Sequence, residues 1–267
     1  MAKTTNEITP KVRINQIKAI LSADSVKQQF ENALKENAGA FVASIIDLYA
    51  SDTYLQNCDP NQVVMEALKA ATLKLPINKQ LGFAYIVPYK KGGVQIPQFQ
   101  IGYKGYIQLA MRTGQYQTLN AGVVYEGVEV KRDLLTGEVK LSGEPKNTKP
   151  QGYFCHMELI NGFKKTVYMT LAEVTAHAKR YSKSFSSESS AWSTNFDDMA
   201  IKTCIRKLLS HYGVLSTEMI AAMTSAGEME EGDPESEVAA DANSETIDIP
   251  LNVVGDAPPQ DEQGPGF

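Results

Sequence analysis

The segment between Glu66 and Glu126 combines positive charge, aromatic rings and neutral hydrogen-bonding side chains, and it contains no aspartate or glutamate. Acids make up 31 of the 267 residues, so about seven would be expected over these 59 positions. Phosphates attract lysine and arginine and repel carboxylates, so a groove that follows a nucleic-acid backbone should lack acids. The composition of this segment therefore indicates a nucleic-acid-binding surface.

Aromatic residues in the same segment add a second kind of contact, because bases stack on rings without sequence reading, at about 1–3 kcal/mol per base. Rings in strands also pack in cores or cross-strand pairs, which is the expectation for Phe83, Tyr85 and Phe99. Four glycines are expected to let a backbone approach a bound strand: Gly92, Gly93, Gly102 and Gly105. The predicted DNA-binding residues of the segment are Lys69, Lys74, Lys90, Lys91, Gln100, Tyr103, Lys104, Tyr106 and Arg112.

A predicted helix after Trp192 supplies a second basic element. Lys202 and Arg206 are spaced i, i+4 on one side of it, and Lys207 lies on another side. We add these three residues to the predicted DNA-binding set, although a solvated helix face would show the same spacing. Asp197 and Asp198 fall in the first turn, where the helix dipole favours negative charge, so they are interpreted as helix-start residues rather than metal ligands.

Residues typical of catalysis are not arranged for it in this sequence. There is no G-x-x-x-x-G-K-[ST] loop for nucleotide, so no ATPase is expected. A nuclease needs clustered carboxylates for Mg²⁺, and the nearest group alternates with Lys131 and Arg132 around a predicted hairpin. We expect no enzyme activity, no catalytic residue, no cofactor and no metal. The remaining candidates examined, all interpreted as structural or surface residues, are Cys58, Cys155, Cys204, His156, His177, His211, Glu126, Glu129 and Asp133.

The elements that position these residues follow from periodicity and turn signals. Apolar residues at helical spacing predict an N-terminal helical part, and Asp59-Pro60 is a good start for its last helix. A hairpin about Gly92-Gly93 is followed by a helix over 103–112. Hairpins about Thr136-Gly137 and Asn161-Gly162, a capping box at Thr170 and a helix over 197–212 complete the body. The predicted fold is α+β, with an antiparallel sheet built from hairpins packed with helices.

Charge divides the chain into a basic body and an acidic tail. Residues 1–207 hold all 26 Lys and Arg against 18 acids, a net charge of +8, whereas residues 208–267 hold 13 acids and no cation. The tail is expected to be disordered, and it is interpreted either as a solubilising extension or as an internal competitor for the basic groove. The predicted division is 1–58, an N-terminal helical region for oligomer contacts; 59–215, the α+β DNA-binding core; and 216–267, the acidic tail.

Three stretches resemble the RecT family of phage and prophage single-strand annealing proteins. They are Leu81-Gly82-Phe83-Ala84-Tyr85-Ile86-Val87-Pro88-Tyr89, then Gln98 to Gly114 with its Gly102-Tyr103-Lys104-Gly105-Tyr106 centre, and Ala200-Ile201-Lys202-Thr203-Cys204-Ile205-Arg206-Lys207-Leu208-Leu209. The resemblance implies an ATP-independent recombination protein that coats single strands as rings or helical filaments and pairs them with complementary strands. It also implies a cognate exonuclease and a host single-strand-binding protein as partners.

Other functions remain open from the residues alone. A structural oligomeric phage protein would assemble without DNA, and an RNA-binding module without annealing activity would have the same basic surface. No apolar stretch is long enough for a membrane span. The resemblance implies a protein of the bacterial host cytoplasm that binds single-stranded DNA and the annealed duplex.

Overall fold

The computed structural model describes residues 10–182, 185–188, 190–214, 216, 219 and 220. The expectation of a disordered acidic tail lies almost entirely outside these residues. The N-terminal part is helical, as predicted, and the last of its helices starts where Asp59 accepts a hydrogen bond from the Asn61 N–H at 3.0 Å. The four helices are α1 (Pro10–Ser22), α2 (Asp24–Leu34), α3 (Ala38–Ser51) and α4 (Pro60–Thr72).

A separate two-stranded antiparallel sheet follows, made of β1 (Ala84–Lys91) and β2 (Val94–Ile101). The two residues between the strands, Gly92 and Gly93, both have positive φ, 58° and 87°, which glycine adopts without strain. Pro88 lies opposite Pro97 in the register. Neither proline can donate to a ladder, which fits a two-stranded sheet in which both strands are edges.

Helix α5 (Tyr103–Arg112) leads from this hairpin into the larger sheet. The strands that follow are β3 (Tyr116–Tyr125), β4 (Glu129–Arg132), β5 (Val139–Ser142), β6 (Pro150–Leu159) and β7 (Lys164–Thr170). Three of them form an antiparallel sheet in the order β3-β6-β7, and β4 and β5 form a hairpin of their own. The hairpins about Thr136-Gly137 and Asn161-Gly162 are thus confirmed.

The C-terminal helices cover this sheet. They are α6 (Leu171–Tyr181), which starts with the predicted capping box of Thr170 and Glu173, the short α7 (Ala191–Thr194), and α8 (Phe196–Tyr212). Helix α8 packs on β3, β6 and β7, and its apolar face meets the buried side of β6. Trp192 is buried, with its ring edge-on to Phe196 at 5.5 Å between centroids, so it is a core residue.

The fold is α+β, as the sequence predicted. Buried side chains of α1 to α4, both sheets and α8 join in one continuous core. The proposed boundary at residue 58 therefore stays a prediction. No helix among the described residues is long and apolar enough to cross a membrane.

Candidate nucleic-acid interface

The turn into α5 is packed tightly against the start of the β1–β2 hairpin. The Gly102 N–H donates to the Phe83 carbonyl at 2.9 Å. A Cβ added at Gly102 would lie 2.1 Å from the Gly82 oxygen, and one added at Gly105 would lie 2.2 Å from the Phe83 oxygen. These two glycines therefore admit the protein's own backbone, and the expectation that they open space for a bound strand is wrong. Gly92 and Gly93 do face open space.

Three predicted lysines stand on the surface of this region. Lys74, Lys90 and Lys104 are exposed, and none forms an ion pair with a residue that the structure describes. The Lys104 ammonium lies 5.9 Å from the ring centroid of the half-buried Tyr103, which makes a cation–π contact. The side chain of Lys91 lies outside the described residues. This surface carries the fixed positive charge that phosphates require.

Two other predicted cations hold elements together. The Lys69 ammonium lies 2.7 Å from a Glu66 oxygen, and the second Glu66 oxygen accepts a hydrogen bond from the Phe99 N–H at 2.7 Å. Glu66 thus attaches α4 to β2, and Lys69 pairs with it from the same helix. Arg112 donates to the carbonyls of Leu73 and Lys74, at 2.6 and 3.0 Å, and so closes the C-terminal end of α4.

Tyr106 is fully buried, with 0% of its surface exposed. It is a core residue of α5, because its side of the helix meets the hydrophobic core, and its ring has no face open to a base. The prediction that Tyr106 stacks on DNA is therefore corrected.

The outward face of the β1–β2 hairpin holds a candidate that sequence reasoning left out. The Gln100 amide donates to the Tyr89 hydroxyl at 2.6 Å, and Tyr89 is exposed. Tyr85 and Gln98 share this face because side chains alternate along a strand. The period of two was the signal that would have placed Tyr89 on the same face as Gln100, although the register pairs Gln100 with Tyr85.

The start of α8 lies close to this hairpin corner. Burial raises the pKa values of Tyr85 and Tyr103, and the Asp198 carboxylate adds to both shifts, which places its charge near the two rings. Helix α5 also packs directly against α8. Lys202 and Arg206, both half-buried, follow Asp198 at intervals of four, so they continue along the same side of α8. Lys207, also half-buried, lies on another side of that helix.

Asp197 has a structural partner. Its carboxylate accepts a hydrogen bond from the Tyr153 hydroxyl at 2.6 Å. Burial, and then this bond, raise the pKa of Tyr153 far above its usual value. The described residues contain no cluster of three His, Cys, Asp or Glu that could hold a metal ion.

The three cysteines are buried and free. Burial raises the pKa of the Cys58 thiol to about 11 and that of the Cys204 thiol to about 12, and it raises that of Cys155 further. Because the thiolate is the reactive form, these cysteines are inert at neutral pH.

Comparison with known proteins identifies the class to which this fold and surface belong. Residues 39–240 match the RecT family, and the chain belongs to that family. Membership places it among recombination and annealing proteins.

Two curated proteins are similar to this chain over most of its length. The chain is 46% identical over 216 residues to the uncharacterized protein YqaK of Bacillus subtilis strain 168, covering 80% of this chain and 73% of that one. It is 27% identical over 219 residues to the protein RecT of Escherichia coli K12, covering 78% of this chain and 80% of that one.

Proposed function

We propose that this protein binds single-stranded DNA and anneals complementary strands without ATP, as part of phage-type homologous recombination. The observation that carries the proposal is the acid-free stretch over 67–125, which holds seven cations and includes the β1–β2 hairpin and α5. Lys90 and Lys104 are exposed on these two elements. Exposed lysines on these two elements attract phosphates.

In this proposal the surface holds the backbone and leaves the bases open. Lysines on the hairpin and on α5 contact phosphates, while the rings of Tyr89 and Tyr103 offer stacking platforms that tolerate any base. Lys202 and Arg206 on α8 form the second wall of the groove. Base edges then remain free for a second strand, and Watson–Crick pairing supplies the selectivity.

The proposed assembly and partners of the protein are those that membership of the RecT family suggests. A ring or helical filament of identical subunits would align many such surfaces, so that weak contacts add through effective concentration. The proposed partners are a cognate exonuclease that produces single strands and the host single-strand-binding protein. The proposed location is the cytoplasm of a bacterial host.

The test is the annealing of two complementary fluorophore-labelled oligonucleotides by the full chain, without ATP, at several salt concentrations. The proposal predicts faster pairing than without protein, a decrease of the effect with salt, and strands that remain full-length. An RNA pair of the same sequence is measured in parallel, because a preference for RNA would favour an RNA-binding module.

Each other outcome has a definite reading. Intact single-strand binding without acceleration would contradict annealing and leave a strand-coating protein. Absence of binding at every salt concentration would overturn the proposal and favour a structural oligomer. Mg²⁺-dependent shortening of the strands would reveal a nuclease.

A further inference from the structure

The outward face of the β1–β2 hairpin carries an exposed aromatic ring whose far end is held by a second side chain. Tyr89 is 38% exposed, and its hydroxyl accepts a hydrogen bond from the Gln100 amide at 2.6 Å. The opposite face of the same two strands is buried through Ile86 and Phe99. Because side chains alternate along a strand, Tyr89 and Gln100 lie on the side of the hairpin that is turned away from the core.

The strand register determines how these two side chains must lie. Tyr89 is opposite Ile96, whereas Gln100 is opposite Tyr85, so Gln100 lies four residues beyond the position that faces Tyr89. Four residues correspond to about 13 Å along a strand. A hydrogen bond can join the two residues over this distance only if both side chains extend along the hairpin toward each other.

The Tyr89 ring consequently lies along the surface of the hairpin and does not stand off it. The register position midway between Tyr89 and Gln100 on this face is the pair of Val87 and Gln98, and both of these side chains are half-buried. The ring thus has one side over this pair and the other side toward solvent. A ring with one open side and a fixed end has the form of a platform on which a single unpaired base can stack.

A ring that is held in this way needs less ordering when a base binds. A tyrosine without a partner on a strand surface moves between rotamers, and fixing one rotamer on binding lowers the affinity for the ligand. The hydrogen bond from Gln100 restricts the direction of the Tyr89 ring before any ligand arrives. This role differs from a direct contact between Gln100 and DNA, which the residue type alone suggests.

We propose that Tyr89 is the residue on which an unpaired base of the single strand stacks, and that Gln100 is a positioning residue that holds the Tyr89 ring for it. Lys90 follows Tyr89 in β1 and is exposed, and the surrounding segment contains no acid, so the charge near the ring suits a polyanion. The inference rests on the proposed function, because it assigns the base contact within the proposed DNA-binding surface.

The test is a double-mutant cycle on the affinity of the full chain for a single-stranded oligonucleotide, measured by fluorescence anisotropy. Tyr89→Ala removes the ring and should weaken binding about tenfold. Tyr89→Phe keeps the ring but removes the hydroxyl that Gln100 holds, so this variant and Gln100→Ala should each weaken binding about threefold. Because both changes break the same contact, Tyr89→Phe/Gln100→Ala should bind no more weakly than either single variant.

A second oligonucleotide separates stacking from every other role of these residues. On a strand of abasic-site analogues of the same length, the four variants should bind like the unchanged chain, because the phosphates remain and no base can stack. The salt dependence of the affinity should not change either, since no phosphate contact is lost. Gln117→Ala is the matched control, because Gln117 is an exposed glutamine of β3, outside this hairpin. Its affinity should stay within about twofold of that of the unchanged chain on both strands.

Three results would overturn the inference. The first is a Tyr89→Ala variant that binds the normal strand like the unchanged chain. The second is a double variant in which the two single losses multiply, which would show that Gln100 contacts DNA itself. The third is an equal loss on the abasic strand, which would show that the changes only disturb the hairpin.

Failure of this inference and failure of the proposed function give different results. A chain that binds and anneals DNA independently of Tyr89 would overturn only this inference. Binding that depends on Tyr89 and Gln100 as predicted, but without annealing, would overturn only the proposed annealing. Absence of single-strand binding by the unchanged chain would overturn both.

Discussion

The β1–β2 and β4–β5 hairpins are alike in architecture and opposite in surface chemistry. Each is a two-stranded antiparallel sheet with glycine in or beside its turn. The first contains two lysines and no acid over 84–101, and both lysines stand directly before its glycine turn. The second balances three cations with three acids over 129–142, and its tip is a pair of exposed leucines.

The comparison of the two hairpins shows that the number of cations alone does not locate a nucleic-acid-binding surface. Lys131 and Lys140 are exposed, as Lys74, Lys90 and Lys104 are, yet each has a carboxylate partner within 3.4 Å. What distinguishes the first hairpin is the absence of acids over 67–125. The proposed polyanion surface therefore lies on the first hairpin and not on the second.

The largest expected effect concerns the corner that supports the first hairpin. In the Gly105→Ala variant the new methyl group would lie 2.2 Å from the Phe83 carbonyl, so α5 and the hairpin must move apart. Overpacking of this kind costs about 1–3 kcal/mol of unfolding free energy. We expect a clear fall in the thermal midpoint, measured by circular dichroism, and weaker DNA binding.

The control for this change is Gly39→Ala. Gly39 lies in α3 with nothing within 4 Å of the added methyl group, so alanine should stabilise the helix by about 0.5–1 kcal/mol. If Gly105→Ala melted at the same temperature as the unchanged chain, the described contact between α5 and Phe83 would be wrong.

The next effect concerns the second hairpin and its attachment to the body. Arg132 lies 4.7 Å from the Tyr168 ring centroid and 3.2 Å from a Glu173 oxygen, so it joins β4 to β7 and α6. We expect Arg132→Ala to cost about 1 kcal/mol, from one cation–π contact and one exposed ion pair. Amide hydrogen exchange over 129–142 should become faster, while exchange in the first hairpin should not change. Equal exchange in both proteins would contradict the role of Arg132.

The smallest expected effect concerns Lys79, a lysine of the acid-free segment that has a structural role and is not proposed to bind DNA. Lys79 lies 2.6 Å from Asp52. Burial acts to raise the pKa of Asp52, but the hydrogen bonds from Lys79 and from the Leu55 and Tyr54 N–H groups lower it below its usual value. Stability from this pair is thus present above about pH 4 and is lost as the pH falls through the folded pKa.

Lys79→Ala should therefore reduce the thermal midpoint at neutral pH by an amount that corresponds to less than about 1 kcal/mol, and the difference should vanish in strong acid. Affinity for single-stranded DNA should not change, because the Lys79 charge is already neutralised by Asp52. A loss of DNA affinity as large as that from an unpaired lysine would show that Lys79 belongs to the binding surface.

Local patterns predicted much of the fold. The Asp59-Pro60 helix start, the Gly92-Gly93 turn and the Thr170–Glu173 capping box are each fixed by neighbours in the chain, and all are confirmed. The α+β class followed from the order of these elements. Which three strands share a sheet did not, because that depends on contacts across tens of residues.

Less of the candidate site could be predicted from the sequence, because it too depends on contacts between residues that are distant in the chain. Composition located the acid-free segment, but it could not separate exposed Lys104 from buried Tyr106 two residues further along α5. It also could not show that Gly105 meets Phe83 or that Arg112 closes α4, since both partners are distant in sequence. The role of each of these residues depends on the side of the helix on which it lies and on which residue it contacts, rather than on its type.

The central claim is that the first hairpin and α5, and not the second hairpin, contact single-stranded DNA. The most direct test measures oligonucleotide affinity by fluorescence anisotropy for Lys90→Ala/Lys104→Ala and for the matched control Lys131→Ala/Lys140→Ala. We predict a loss of about tenfold or more for the first variant at low salt, and a salt slope smaller by about 1.4, as expected when two phosphate contacts are removed. The control should bind like the unchanged chain; an equal loss in both variants, or a loss in the control alone, would contradict the account.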